Sequence, residues 1–371
     1  EALDSLLSTW VTMGPKVGRF EQMFADYIGK KHAIMVNSGS SANLLALSAL
    51  GLQPGDEVIT PALTWATTLW PIVQVGAVPV LVDVDRGTYN ISAAAIRAAI
   101  TPKTRAIMPV HVLGNPYDVA VQDIAGWHQL SVIEDTCEAL GAAWRGYKVG
   151  TWGDLSTFSF YFSHHISTIE GGMVLTNRDD FADMCRSQRS HGWMRDLSNK
   201  TEVAAKHSGI DPRFLFPHTG YNLRPTEIQG AFGIHQLPKL EGLVEARRAN
   251  AAYLNEALAP YEDWLTLPRE APNTRHSYMG YPITVKEDAP FTKAQLVQHL
   301  EGKGLATRPL LAGNIVNQPA MREVFCRVSG SLENAQYIHN NAFYIGPHQG
   351  IGAVEREAIV SYFDEWMRRY A

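Results

Sequence analysis

Between residues 32 and 177, short runs of β-branched and aliphatic residues alternate with stretches whose apolar positions recur at helical spacing. The runs predict strands at 32–37, 57–61, 78–84, 105–112, 131–134, 157–162 and 172–176. Amphipathic segments such as 41–50 and 93–99 predict helices between them. Strands and helices in this alternation build an α/β fold: a mostly parallel, mixed sheet covered by helices on both faces. Ligands of such sheets sit beyond the carboxyl ends of the strands.

Further along, the rhythm changes. A long amphipathic helix is predicted from Pro225 to about Glu256, broken near Pro238, followed by a strand at 281–285 and helices at 293–301 and 354–370. The change predicts a large domain over residues 1–245 and a smaller C-terminal α+β domain over 246–371, with a boundary good to about ten residues. Segments 197–216 and 318–330 carry no readable pattern or chemistry.

Composition narrows the function. With 371 residues, 46% of them hydrophobic, the chain can bury two cores. A formal charge of -5 and the lack of any basic run argue against a nucleic-acid partner. No stretch approaches the ~18 consecutive apolar residues of a membrane span. Cys137, Cys185 and Cys326, widely spaced and odd in number, fit reduced thiols of a cytoplasmic protein. They form no C-x-x-C pair, and the thirteen histidines form no H-x-x-x-H or H-E-x-x-H pattern, so no metal site is expected. The chain begins at Glu1, not methionine, so a preceding or removed targeting segment stays open.

Four segments at predicted strand ends carry candidate chemistry. Asn37-Ser38-Gly39-Ser40-Ser41-Ala42-Asn43 opens a helix, where backbone N–H groups and hydroxyls suit a phosphate; simple capping by a serine explains it equally well. Trp65, within Leu63-Thr64-Trp65-Ala66-Thr67-Thr68, suits stacking on a flat ring, though a large aromatic also suits a core. Glu134, Asp135 and Glu138 place three carboxylates within five residues. One of them, buried, would hold a protonated pyridine nitrogen and make the ring an electron sink; the alternative is an exposed acidic loop. Finally, the aromatic run 157–162 leads into Ser163-His164-His165-Ile166 and then Glu170-Gly171-Gly172.

These segments, with Gly220-Tyr221-Asn222-Leu223-Arg224, resemble in order and spacing the DegT/DnrJ/EryC1/StrS sugar aminotransferase family of the aspartate-aminotransferase fold. The likeness runs from about residue 8 to the C-terminus. One departure stands out. The residue five after the serine of the F-S-F strand is lysine in the family's aminotransferases, where it binds the cofactor aldehyde. Here it is His164, and no lysine occurs between Lys148 and Lys200. The context is similar to the family's lysine-less branch, the 3-dehydratases that act on nucleotide-linked 4-keto-6-deoxyhexoses, GDP- and CDP-linked among them. The iron–sulfur members of that branch carry cysteine ligands. Residues 192–220 here contain no cysteine, so the resemblance implies the cluster-free kind.

The resemblance also implies roles. Pyridoxamine or pyridoxal 5'-phosphate is expected as a non-covalently held cofactor. Its phosphate would lie on Gly39, Ser40 and Ser159, its pyridine nitrogen on Asp135, its ring hydroxyl on Glu138 and its ring face on Trp65. Asn222 would reach over from the second subunit of a homodimer. His164 is expected as the base and His191 as a second active-site histidine, with L-glutamate as amino donor. Arg224, Arg308 and His348 are candidates for the nucleotide diphosphate, against a plain surface salt-bridge role.

Histidine in place of lysine makes chemical sense. Imidazole forms no stable imine with the cofactor, yet with an ordinary pKa of about 6.5 it still serves as a general base. Loss of the hydroxyl at C3 is the reaction expected. A nucleotide-sugar aminotransferase that uses His164 as proton shuttle, and a non-catalytic regulator that keeps the fold, are the alternatives. Neither nucleotide nor sugar can be named from the sequence.

Overall fold

The computed structural model describes residues 1–370. Seven strands of the N-terminal half join one sheet: β1 (His32–Val36), β2 (Glu57–Pro61), β3 (Val78–Val82), β4 (Thr104–Ile107), β5 (Ser131–Asp135), β6 (Leu155–Ser159) and β7 (Gly172–Thr176). A second sheet holds β8 (Leu265–Thr266), β9 (Tyr281–Val285), β10 (Thr307–Pro309) and β12 (Ala342–Ile345), while β11 (Arg327–Val328) returns to the first. The large sheet runs β1-β7-β6-β5-β4-β2-β3-β11, and β7 alone opposes the direction of the rest. The small sheet, β8-β9-β12-β10, is antiparallel throughout.

Burial follows the alternation of side chains across the sheet. On β6, Phe158 turns to one face and meets Phe24 of the helix Pro15–Ile28, with ring centroids 5.1 Å apart. Thr157 and Ser159 turn to the other face, toward the helix Gly39–Ala49. A separate core of Leu254, Tyr281, Ile283, Phe291, Phe343 and Phe363 fills the C-terminal part.

The strand expected over 105–112 stops at Ile107; beyond Pro109, which has no N–H to give, only an isolated bridge links Val110 to Asp135. The break expected near Pro238 is present: the helices Glu227–Gln236 and Leu240–Leu258 are separated by a 3-10 turn containing Pro238. The second of these runs across residue 245. Among the unread segments, 197–216 contains the helix Lys200–Lys206, and 318–330 contains β11, which pairs with β3 at the edge of the large sheet. Among the described residues, no helix is long and apolar enough to cross a membrane.

Candidate active site

The carboxyl ends of β1, β2, β5 and β6 lead into the four segments that carried candidate chemistry. At the first, Ser38 caps the helix Gly39–Ala49, its Oγ accepting from the Ser41 N–H at 3.1 Å. The cap serves Ser41, and the N–H groups of Gly39 and Ser40, in the first turn, have no partner within the helix. Capping and anion binding are therefore compatible at this turn.

Glycine is required here by space. A Cβ on Gly39 would stand 2.6 Å from Ser159 Cβ and 2.9 Å from Ser159 Oγ. A Cβ on Gly172 would collide with the Ser38 carbonyl. Register explains both contacts, since Gly172 pairs with Val36 on one side and with Ser159 on the other. The result is a cradle formed by one helix terminus and the Ser159 hydroxyl, which matches the donors a phosphate group needs.

Neighbouring carboxylates on β5 face opposite ways. Glu134 is fully buried and accepts from the N–H groups of Gly150 at 2.8 Å and Trp152 at 2.6 Å. It also accepts from His111 Nε2 at 3.1 Å: the Tyr117 N–H occupies His111 Nδ1, so Nε2 carries the proton. Glu134 thus ties down a loop. Asp135 points the other way. Its Oδ2 accepts from Asn43 Nδ2 at 3.0 Å and Thr68 Oγ1 at 2.8 Å, and its Oδ1 from the Cys137 N–H at 3.2 Å. Oδ1 keeps a lone pair for one more donor, which fits a pyridinium N–H. Asn43 is itself fixed by Thr157, whose hydroxyl donates to Asn43 Oδ1 at 2.6 Å. Thr64 completes the chain by donating to Thr68 at 2.8 Å.

Glu138 accepts from the Leu113 N–H at 3.0 Å, and burial raises its carboxyl to about 7. Trp65 begins the helix Ala66–Gln74 and is 57% exposed, an open face beside the Thr64–Thr68–Asp135 chain. Cofactor-type donors and acceptors are therefore present in the right kinds: a phosphate cradle, a shielded carboxylate and a free aromatic face.

His164 lies in a loop pinned at its base by the Phe160 N–H on the Gly171 carbonyl, 2.9 Å, and the Thr168 N–H on the Phe160 carbonyl, 3.0 Å. Its ring is half-buried, and its Nδ1, sealed from solvent, has no partner. Burial, then the Arg247 guanidinium, push it down to about 4. His165 next to it is buried, with Nε2 on the Ser277 carbonyl at 3.0 Å.

Among the described residues, the side chains of the remaining candidates make no hydrogen bond to this group, although the Asn37 N–H donates to the Leu223 carbonyl at 3.0 Å, next to Asn222 and Arg224. His191 is exposed at φ 68, its N–H on the Tyr221 carbonyl, beside the Ser190–Asn222 bridge. Asn222 is also exposed and accepts from Arg224 Nε at 3.1 Å. Arg308 pairs with Tyr344 across β10 and β12, and both Glu138 and Arg308 bear on the Tyr344 phenol. His348 closes its own turn, accepting the Gly350 N–H at 3.1 Å. Asn43, Thr68 and Thr157, which fix Asp135, were not singled out from the sequence. Asn43 and Thr68 lie 92 and 67 residues before the carboxylate they hold, and no local pattern reveals such a partner.

A family model described as the DegT/DnrJ/EryC1/StrS aminotransferase family matches residues 1–363. The chain is 41% identical over 368 residues to the dTDP-4-dehydro-2,6-dideoxy-D-glucose 3-dehydratase of Saccharopolyspora spinosa, covering 94% of this chain and 79% of that one. It is 38% identical over 353 residues to the GDP-4-keto-6-deoxy-D-mannose 3-dehydratase of Yersinia pseudotuberculosis, covering 92% and 89%. Among solved structures, the E. coli GDP-4-keto-6-deoxy-D-mannose-3-dehydratase with bound hydrated PLP is similar at a TM-score of 0.91 and 35% identity, over 97% of this chain and 95% of that one.

Proposed function

The chain belongs to the DegT/DnrJ/EryC1/StrS aminotransferase family, and within it we propose a 3-dehydratase that removes the C3 hydroxyl of a nucleotide-linked 4-keto-6-deoxyhexose. One observation carries this: the loop after β6, five residues beyond the Ser159 of the phosphate cradle, presents His164 where an aminotransferase needs lysine. Similarity to two 3-dehydratases supports the same reaction.

Gly39, Ser40 and Ser159 would hold the phosphate of pyridoxamine or pyridoxal phosphate, Asp135 its ring nitrogen, Glu138 its ring hydroxyl and Trp65 its ring face. When bound, the amine form supplies nitrogen for the sugar's keto carbon and a ring that accepts electrons. His164, unable to bond covalently to the cofactor, leaves that amine form free. It removes a proton from the cofactor's C4′ carbon and returns one to the departing C3 oxygen. Asp135, held by Asn43 and Thr68, would keep the ring nitrogen protonated. In the balance, the sugar's C3 oxygen leaves as water, one water is consumed as the cofactor amine is oxidised to the aldehyde with release of ammonia, and L-glutamate, becoming 2-oxoglutarate, would restore the amine form.

A homodimer with shared sites fits the surface. Phe162 and Ile169 are exposed on the His164 loop, and Asn222 and His191 are exposed, the Asn222 side chain hydrogen-bonding only Arg224 of its own chain among the described residues. In this proposal Asn222 of one copy approaches the phosphate of the other, and His191 is a second active-site histidine. Arg224, Arg308 and His348 are proposed for the nucleotide diphosphate, with Arg308 favoured by its place across Tyr344 from Glu138. A division into domains 1–245 and 246–371 is likewise proposed, and a cytoplasmic setting fits three unpaired cysteines.

The test is incubation with pyridoxamine phosphate, glutamate and, separately, GDP-, CDP- and dTDP-linked 4-keto-6-deoxyhexoses, followed by mass spectrometry. A product lighter by one oxygen, with ammonia released, is expected with one preferred nucleotide. An amino sugar would make the protein an aminotransferase in which His164 only shuttles protons.

A further inference from the structure

Arg247 is an odd arginine. It lies on the helix Leu240–Leu258, is 5% exposed, and forms no ion pair with a carboxylate among the described residues. Its Nη1 donates to the Tyr278 carbonyl at 3.2 Å and the Met279 carbonyl at 3.1 Å, while its Nε has no partner. The preceding carbonyl, Ser277, accepts from His165 Nε2 at 3.0 Å. Three consecutive carbonyls thus tie the guanidinium to the residue next to His164. The amides of the same strap face the site: the Met279 N–H reaches the Leu113 carbonyl at 2.9 Å, and the Leu113 N–H holds Glu138.

Burying an unpaired guanidinium is costly. Burial pulls Arg247 down to about 10, which leaves it charged at neutral pH. The titratable and charged groups bearing on the histidine pair are Arg247, the two rings themselves and, behind His165, His276; among the described residues no carboxylate offsets the guanidinium at His164. The edge of the Tyr161 ring, 6.1 Å away between centroids, covers His164 from its own loop.

We propose that Arg247 is a positioning residue for the reaction: held together with His165 on the Ser277–Met279 carbonyls, it fixes a positive charge beside the His164–His165 pair that favours delivery of the His164 proton to the departing hydroxyl. A ring acting first as base and then as acid gains from such a setting. The proposal rests on the dehydratase reading of His164. Its test reads the ring directly and stands apart from product identity.

Nitrogen-15 NMR of the histidine rings in the pyridoxamine-phosphate-loaded protein, with His164 assigned by loss of its signal in His164→Asn, follows the titration. In the native protein His164 stays neutral at pH 6. Arg247→Gln, or Arg247→Met should the first not fold, raises its midpoint by about one pH unit, a tenfold change in proton concentration. Arg247→Lys keeps the charge and restores the native midpoint even where it loses the two carbonyl bonds. The acid limb of kcat moves with the ring. A native His164 that titrates at its ordinary value, or a midpoint unmoved in both neutral variants, overturns the proposal. An amino-sugar product would instead overturn the function and leave the titration result standing.

Discussion

Asp135 is held by side chains that the sequence presents as helix and loop residues. Its Oδ2 takes both Asn43 and Thr68. Thr68→Val keeps the shape and removes one donor, which should cost about 1 kcal/mol of alignment and weaken pyridoxal phosphate binding roughly fivefold. An absorbance titration checks this; unchanged affinity would remove Thr68 from its role. Glu138 gives a second residue-scale prediction. Its folded value, about 7, lies above the ordinary 4.5. Its cost to the fold is absent below 4.5, where both states are protonated, and grows as pH rises to about 7. Glu138→Gln should remove that loss and stabilise the cofactor-free protein on the order of 1–2 kcal/mol at pH 8 but not at pH 4. Urea unfolding at the two pH values decides; an equal effect at both contradicts the burial argument. At this scale the sequence showed which types of group were present. The residues alone did not separate Glu134, which ties down a loop, from Asp135, which the family resemblance put forward for the ring nitrogen, because that depends on which face of β5 meets the helix Gly39–Ala49.

The cradle belongs to the scale of elements, where a helix terminus, the end of β6 and the start of β7 must close on one another. Gly39→Ala should displace Ser159 and weaken cofactor binding by tenfold or more while the fold survives, since the obstructing atoms are a small side chain. Gly172→Ala meets main chain at Ser38 and should destabilise the fold itself by about 2–3 kcal/mol. Thermal unfolding beside a binding titration separates the two; a Gly172→Ala protein as stable as the native would contradict the packing. Most strands were legible because buried parallel strands read as apolar runs. β11 was not, since two residues at a sheet edge, Arg327 and Val328, carry no period. Helix 227–258 was legible as an amphipathic run broken near Pro238, and that proline sets the 3-10 turn that divides it.

At the scale of the whole molecule, four histidines, His111, His164, His165 and His276, are held below their ordinary value chiefly by burial. They are neutral in the fold and protonate in the unfolded chain below pH 6.5, so stability is lost as pH falls from there toward 4. Urea midpoints should drop steeply between pH 7 and 5, with proton uptake on unfolding; a flat profile would contradict neutral burial. The shared-site proposal also belongs here. Mixing inactive His164→Asn with inactive Asn222→Ala should restore activity, because a mixed dimer rebuilds one intact site, up to about a quarter of native sites after random exchange. No recovery would place both residues in one chain's site. The residues of the motif do not by themselves say which copy Asn222 serves; the family resemblance puts it in the second subunit's site, and its exposure in the folded chain is compatible with that.

The most direct test of the central claim uses sugar carrying oxygen-18 at C3. Native protein loaded with pyridoxamine phosphate should release the label into water and leave a 3-deoxy-4-keto sugar without it. A product that retains the label and carries nitrogen at C4 would contradict the account, and would mean that His164 has replaced a lysine without changing the reaction.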